Sequence, residues 1–370
     1  MEEKILPEEI KLSEIVLNKT NHAFEMIRQE ECVVMSKKNN KKWFKSQVAA
    51  IAGICLLAAS SVTAVAAVHH YWGRGMNGNI QASDVQQQQL TDKGIADIYP
   101  EKEDYEALKV VQNGVTIAPN TVIVDERFAY MSFTISGYDF EDGKEPGFES
   151  VNVTSSEADV NMSGSIYDGI VSDQNGSPVY EDGSAIEFSE DGDVVYHYLD
   201  ENGNLEYIVQ AYIADDGDTI LGKTLDVKFE NLGFLYKTDF TDDVDGIWEF
   251  EIKLPEVSSA KHFDLNKKVG ETDFTVTDVE ISPISMEVNY TVDAQPEMNE
   301  DEVGVPEVMG VILKDGTSIP YLTDGGRVGY IDDTHAHNVL GYDRVVDVDQ
   351  IQSLLIMVKP GEELVSVDIQ

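Results

Sequence analysis

A few short stretches of this chain carry residue types that could do chemistry. His335-Ala-His337 beside Asp332-Asp333 offers imidazole and carboxylate, the donor types of a zinc site. Zinc takes three or four such ligands, held in place by further hydrogen bonds, and two histidines on a loop supply only part of that set. Asp200-Glu-Asn202-Gly-Asn204-Leu-Glu206 resembles the opening of a calcium loop. It lacks the glycine at the sixth position and the glutamate at the twelfth, so a hairpin turn accounts for it better. Asp242-Asp-Val-Asp245-Gly246 is equally sparse, and His22 with Cys32 cannot complete a zinc set. No G-x-S-x-G, H-E-x-x-H or P-loop pattern occurs. The many carboxylates are scattered, and sequence alone pairs none of them for acid–base work. The reading is of a protein that is not an enzyme, with no catalytic residue, no cofactor-binding residue and no metal ligand to assign.

The elements around these stretches divide at one segment. Residues 46–68, SQVAAIAGICLLAASSVTAVAAV, contain no charge, and five lysines (Lys37, Lys38, Lys41, Lys42, Lys45) stand just before them. As a helix the run spans roughly 34 Å, enough for a hydrocarbon core of ~30 Å. The lysines on its N-terminal side, with His69, Tyr71 and Trp72 after it, predict a span with the N-terminus in the cytoplasm. Ala64-Val65-Ala66 resembles a signal-peptidase site, but some 45 residues ahead of a longer apolar run do not match a signal peptide.

Charge divides at the same place. Of 26 Lys+Arg and 69 Asp+Glu, 17 basic and 61 acidic residues follow residue 45. A field of that sign repels nucleic acid and anionic lipid headgroups, so direct nucleic-acid binding is not expected. The two cysteines, Cys32 and Cys55, precede the acidic region, which must therefore hold together by an apolar core without disulfides.

Before the span, Leu6-Pro7-Glu8-Glu9-Ile10 reads as a helix start. At helical period Leu12, Ile15, Val16, Ala23, Met26 and Ile27 form one apolar stripe, and Leu6, Ile10, Leu17 and Phe24 a second. A lone helix with two apolar faces suits insertion between surfaces of a soluble cytoplasmic partner.

After the span, residues 69–107 read as a juxtamembrane linker, with a short helix expected over Ser83–Lys93 ending at Gly94. From Val110 the period becomes two. Strands are expected over 115–117 and 122–124 either side of Pro119-Asn120, and over 128–135, 165–172, 194–199, 205–213, 225–229 and 246–254, with Asn-Gly and Asp-Gly turns among them. From Pro255 the pattern restarts. Phe274 through Val292 echoes Val115 through Ile135, and further strands follow at 308–313, 318–322, 350–358 and 363–369. The expected fold class is mainly β: a short cytoplasmic helix, one transmembrane helix and two extracellular immunoglobulin-like β-sandwich domains. The domains expected are 1–45 (cytoplasmic arm), 46–68 (span), 69–107 (linker), 108–254 (first sandwich) and 255–370 (second sandwich).

Several stretches carry a resemblance: Asp84-Val-Gln-Gln-Gln-Gln-Leu90-Thr-Asp-Lys-Gly94, Gly137-Tyr-Asp-Phe-Glu-Asp-Gly-Lys-Glu-Pro-Gly-Phe148, Glu280-Ile-Ser-Pro-Ile-Ser285, Val308-Met-Gly-Val-Ile-Leu-Lys-Asp-Gly316 and Arg344-Val-Val-Asp-Val-Asp-Gln350. Through them the chain resembles single-pass Firmicutes membrane proteins with an extracellular region of unknown function, regarded as anti-sigma factors encoded beside extracytoplasmic-function sigma factors. The resemblance implies a cell-membrane location, contact with the lipid bilayer, a cytoplasmic sigma factor as partner and an unidentified extracellular ligand. It supplies no catalytic residues. The rival expectation is a surface-tethered binding or adhesion module with no sigma-factor role.

Overall fold

The computed structural model describes residues 90–369 apart from the short segments 140–143, 173–176, 190–191, 215–216, 237–238, 294–303, 360 and 362. They belong to one compact unit, Val62–Gln370. The arm over 1–45, the span over 46–68 and most of the helix expected over Ser83–Lys93 lie outside the described residues. Among the described residues no helix is long and apolar enough to cross a membrane.

The described chain is mainly antiparallel β. The first half comprises β1 (Ala96–Ile98), β2 (Val110–Gln112), β3 (Val115–Val124), β4 (Phe128–Ser136), β5 (Glu145–Thr154), β6 (Val160–Ile166), β7 (Ile170–Ser172), β8 (Pro178–Tyr180), β9 (Leu205–Ile213), β10 (Thr224–Tyr236) and β11 (Asp239–Lys253). Two sheets, β1-β3-β4-β9-β6 (with β2 also on β3) and β11-β10-β5, enclose one core. The second half comprises β12 (Lys261–Lys268), β13 (Thr275–Ile281), β14 (Ser285–Thr291), β15 (Glu307–Leu313), β16 (Ser318–Ile319), β17 (Thr323–Tyr330), β18 (His335–Tyr342), β19 (Ile351–Met357) and β20 (Val365–Asp368). Its sheets, β12-β13-β14-β18-β17 and β16-β15-β19-β20, enclose a second core.

The two halves share one strand order. The run β3-β4-β9-β6 corresponds to β13-β14-β18-β17, and β11-β10-β5 to β20-β19-β15. Local hydrogen bonding repeats as well. Asp125 N donates to Phe128 O at 2.9 Å in the β3–β4 turn, and Ser282 N to Ser285 O at 2.9 Å in the β13–β14 turn. The echo between Val115–Ile135 and Phe274–Val292 therefore marks strands at equivalent places.

Period-two alternation builds each core. On β9, Leu205, Tyr207, Val209, Ala211 and Ile213 point into the first core, joined by Ala129, Met131, Phe133 and Ile135 from β4. Aromatic rings meet there edge-on, Phe133 to Phe229 at 5.1 Å and Tyr207 to Phe229 at 5.3 Å, and the Trp248 indole N–H donates to Val115 O at 3.3 Å. The second core is built mostly from Val, Ile and Leu.

Several expectations need correction. The segments 115–117 and 122–124 form a single strand, β3, with a register shift between Pro119 and Thr121. Proline has no N–H for the ladder, so the chain bulges there and continues. Residues 194–199 do not form a strand among the described elements and make only an isolated bridge, Phe188 to Val194. The end of the stretch read as a linker belongs to the fold: Leu90, Ile95 and Ala96 are buried, and β1 pairs with β3.

Candidate functional site

The joint between the two sandwiches is built from the outward side of the first β-sheet. Residues of β4 and β9 that point away from the first core, Phe128, Tyr130, Ile208 and Tyr212, pack with Ile284, Val339 and Val345 of the second half. Both faces of these strands are thus covered at this end.

A buried carboxylate fastens the joint. Asp125 Oδ1 accepts the backbone N–H groups of Arg127 at 2.9 Å and Phe128 at 2.8 Å, and Oδ2 accepts the hydroxyls of Ser282 and Ser285. Ser282 in turn accepts the N–H groups of Ile284 and Ser285 at 3.0 and 2.9 Å. The equivalent turns of the two repeats therefore meet side chain to side chain. Burial pushes the Asp125 carboxyl above its ordinary range, while these four donors pull in the opposite direction. Around it, Arg127 Nε donates to Glu287 at 2.9 Å, and Arg327 Nη1 to Ala214 O at 2.7 Å.

Gln210 forms a second fastening. Its Nε2 donates to the Tyr130 hydroxyl at 2.6 Å and to Asp324 O at 2.7 Å, and Tyr130 donates to Tyr342 O at 2.7 Å. Gly341 leaves room for this: a Cβ there would lie 2.4 Å from the Tyr130 oxygen and 2.5 Å from Gln210 Nε2. Gly325, at φ +80°, makes the same close approach to Gln210.

Beside this joint lies a cleft of about 530 Å3, within the range of roughly 300–1,000 Å3 usual for small-ligand sites. Ser163, Ser165 and Ile208 line it from the first sheet. Tyr167, Asp168 and Val171 line it from the segment between β6 and β9, and Asp324, Asp343 and Arg344 from the second half. Ser163 and Ser165 lie opposite Gln210 and Ile208 in the ladder, so all four share the outward face.

Arg344 is the most buried charge of the cleft. Its side chain is fully buried, with Nε donating to Asp343 Oδ1 at 2.5 Å and Nη2 to Oδ2 at 2.6 Å. Its Nη1 has no hydrogen-bond partner among the described residues. Burial raises the Asp343 carboxyl, and the guanidinium beside it acts against that rise.

The described part of residues 167–204, whose first stretch lines the cleft, is organised around Tyr180. Its hydroxyl donates to Val195 O at 2.6 Å and accepts from Glu187 N at 3.0 Å, and its ring stacks on His197 at 4.1 Å. His197 N donates to Asp168 O at 2.8 Å, and Asp168 Oδ1 accepts from Ile170 N at 2.9 Å. Gly169, at φ +82°, passes so close to His197 that a Cβ would collide with it.

The stretches singled out by residue type do not converge on this cleft. Asp332 caps its own turn, accepting from the N–H groups of Thr334 and His335 and from the His335 ring at 2.9 Å, and these contacts hold its carboxyl down at about 2. His337 is buried within β18. Asp200 Oδ1 accepts from Asn202 N and Asn204 N at 2.8 Å, a side-chain-closed turn leading into β9. Asp242 pairs with Gly233 in the ladder of β11, and Asp245 lies on the same strand at a register shift. Among the described residues no group of three or more His, Cys, Asp or Glu is arranged to hold a metal. The cleft residues Ser165, Asp168, Asp324, Asp343 and Arg344 went unassigned in the sequence. The signal available was Arg344, a lone cation between a buried strand and an acidic turn.

No protein-family model matches the chain, and no curated protein sequence matches it. A solved structure described as the conserved domain protein from Bacillus anthracis is similar in shape, with 13% identity and a TM-score of 0.40 over 69% of this chain and 78% of that one.

Proposed function

We propose that this chain is a membrane-anchored signalling regulator whose cytoplasmic arm, residues 1–45, binds a sigma factor and whose acidic β region senses an envelope signal outside the cell. In this reading residues 46–68 cross the membrane and the two halves of the β region are immunoglobulin-like sandwiches. Support for the last point comes from strand order: β3-β4-β9-β6 over β11-β10-β5 follows the A-B-E-D over G-F-C order of that fold. The observation that carries the sensing role is the cleft at the joint. A ligand-sized recess between two fastened domains, walled by a long inserted segment, is where binding would act on both at once.

Two measurements test the reading. A pull-down with residues 1–40 is expected to recover a sigma factor, and recovery of none, with other cytoplasmic baits working, removes the anti-sigma role and leaves a surface-tethered binding module. Ser165→Trp, which fills the cleft from an exposed strand position, is expected to silence the transcriptional response to envelope stresses that induce the wild type. An unchanged response in that variant removes the cleft as sensor. Cys32 is expected to react with a membrane-impermeant thiol reagent only after permeabilisation, whereas a cysteine introduced by Ser258→Cys reacts in intact cells.

A further inference from the structure

We propose that β6 is a strand-addition edge: an extended segment of a partner polypeptide lies in the cleft and pairs its backbone with Met162, Gly164 and Ile166. The inference rests on the reading of the cleft as the ligand site and adds what kind of molecule enters it.

The alternation of the ladder shows which backbone groups are free. Two bonds bracket the pairing of β6 with β9: Ala214 N donates to Asp159 O at 3.0 Å, and Tyr167 N to Glu206 O at 2.8 Å. Between them the register runs from Val160 opposite Ile213 to Ile166 opposite Tyr207 without a shift. In an antiparallel pair, bonded and non-bonded positions alternate. Asn161, Ser163 and Ser165 therefore bond to β9, and the N–H and C=O groups of Met162, Gly164 and Ile166 point the other way. β6 is the last strand of its sheet. None of these outward-pointing groups has a hydrogen-bond partner among the described residues.

The free edge opens on the cleft. Successive side chains on a strand point to opposite faces, yet Ser163, Gly164, Ser165 and Ile166 all line the recess. A recess touched by every residue of a run borders the edge of the strand as well as one face. Gly164 is exposed and has no side chain to screen its backbone.

Other edges of the molecule are guarded and this one is not. Folded proteins ordinarily protect an edge against pairing by charge, proline, a bulge or shortness. Among the described edge strands longer than four residues, β5 carries Glu145 and Pro146, and β11 carries six acidic residues. β12 has three lysines and a register shift, and β17 has Arg327 and a register shift. β6, with the sequence Val-Asn-Met-Ser-Gly-Ser-Ile, has none of these devices.

The same geometry selects the occupant. Free donors and acceptors repeat along the edge at every second residue, about 6.8 Å apart, and a polypeptide in β conformation presents the matching series. The recess of about 530 Å3 is lined by Ile170 and Val171 of the insertion and by Ile284 and Val345 of the second half. A single strand fits between those walls, whereas a second folded copy would have to bring a whole sheet there. The four aliphatic residues suit small apolar side chains at alternate positions of the added strand.

The test uses the full chain in lipid nanodiscs and hydrogen exchange resolved to single residues. In the ligand-free protein the amides of Met162, Gly164 and Ile166 are expected to exchange faster than those of Ser163 and Ser165. A fluorescein-labelled heptapeptide alternating threonine and valine is expected to bind by fluorescence anisotropy and to slow exchange at Met162 and Gly164. The same peptide with every backbone nitrogen methylated keeps its side chains, loses its donors and is expected not to bind. Met162→Pro removes one free-edge N–H and no ladder bond. It is expected to weaken binding at least about fivefold relative to Met162→Ala, which loses the same packing and keeps the N–H. Matching thermal unfolding of the two variants confirms the fold, and if Met162→Pro does not fold the two peptides decide. Equal binding of both peptides, binding of neither, or equal affinity in the two folded variants overturns the inference. Dimerisation of the ligand-free chain with the Met162 and Gly164 amides already protected gives the edge to a second copy and overturns it equally. If the threonine–valine peptide fails while Ser165→Trp still silences the stress response, strand addition is wrong and the sensor stands. If Ser165→Trp responds normally while the peptide binds with the expected variant effects, the sensing role is wrong and the strand-addition site stands.

Discussion

The two sandwiches follow one strand order and differ most in what joins two neighbouring strands. In the first, β6 and β9 are separated by residues 167–204, which carry the β7–β8 hairpin and one wall of the cleft. In the second, the equivalent strands β17 and β18 are separated by residues 331–334 alone. A sheet pair fixes its core by alternation and leaves such connections free to grow, because they lie at the surface and their lengthening costs little closure entropy. The cores differ too, the first holding seven buried aromatic side chains and the second three. The same framework thus holds one copy with a built-out recess and one that mostly supports it.

The largest effect expected from breaking this comparison falls on the aromatic core. Trp248→Ala leaves a cavity where Phe148 and the Val115 carbonyl had met the indole, and should destabilise the first sandwich by about 3–5 kcal/mol. Hydrogen exchange should then quicken in β10 and β11 while β18 and β19 stay protected. Equal loss in all four strands would show that the halves unfold as one unit, not as two linked ones.

Next comes the fastening at Asp125. Asp125→Ala strands two hydroxyls and two backbone N–H groups in a buried joint, a cost of about 2–4 kcal/mol. The urea transition followed by circular dichroism should split into two steps as the sandwiches uncouple. A single transition shifted as a whole would place their coupling in the apolar contacts of Phe128 and Ile284 instead.

Tyr180→Phe sharpens the contrast at the insertion. Loss of the bonds to Val195 O and Glu187 N should cost about 1–2 kcal/mol locally. Amides over 180–197 should exchange faster with β9 unaffected. Faster exchange in β9 would mean that the insertion supports the sheet it grows from.

The smallest effects are pH-dependent and opposite in sign. The Asp125 carboxyl is raised, so its share of stability is present below the ordinary carboxylate value and is lost as pH rises through the raised value. Relative to Asp125→Asn, wild type should therefore lose stability with rising pH above that ordinary value. Asp332 is lowered to about 2, so its contribution is present above the ordinary value and fades as pH falls towards about 2. Urea midpoints of wild type, Asp125→Asn and Asp332→Asn across the acid range measure both slopes. Slopes of the same sign would refute a raised Asp125 carboxyl.

Strands whose outward residues differ in kind from their inward ones were legible. β9 matches the expected 205–213, and β4, β13, β14 and β19 lie within a residue or so of the alternation that announced them. β5, β12, β17 and β18 escaped; β12 is exposed on most positions, β17 is buried on none and β18 is buried on nearly all, which blurs period two. Val194–Leu199 alternates like a strand yet is held by the Tyr180 hydroxyl and by backbone bonds to Glu187 and Asp168. The cleft was barely legible: its residues Ser165 and Asp168, Asp324, and Asp343 and Arg344 come from three separate stretches, and only Arg344, a lone cation, differs locally from a surface residue.

Sequence alone determined that the region after residue 107 is strand-rich, strongly acidic and free of cysteine, with an echo between its halves, since alternation, turn residues and charge are local and additive. Tertiary structure decided that the outward face of β4 and β9 is covered and that the turn at Asp125 meets its own repeat at Ser282. It also decided that Arg344 lies buried beside a recess. Those facts depend on which surfaces meet, and a charge or a serine carries no record in its neighbours of the distant segment that will bury it.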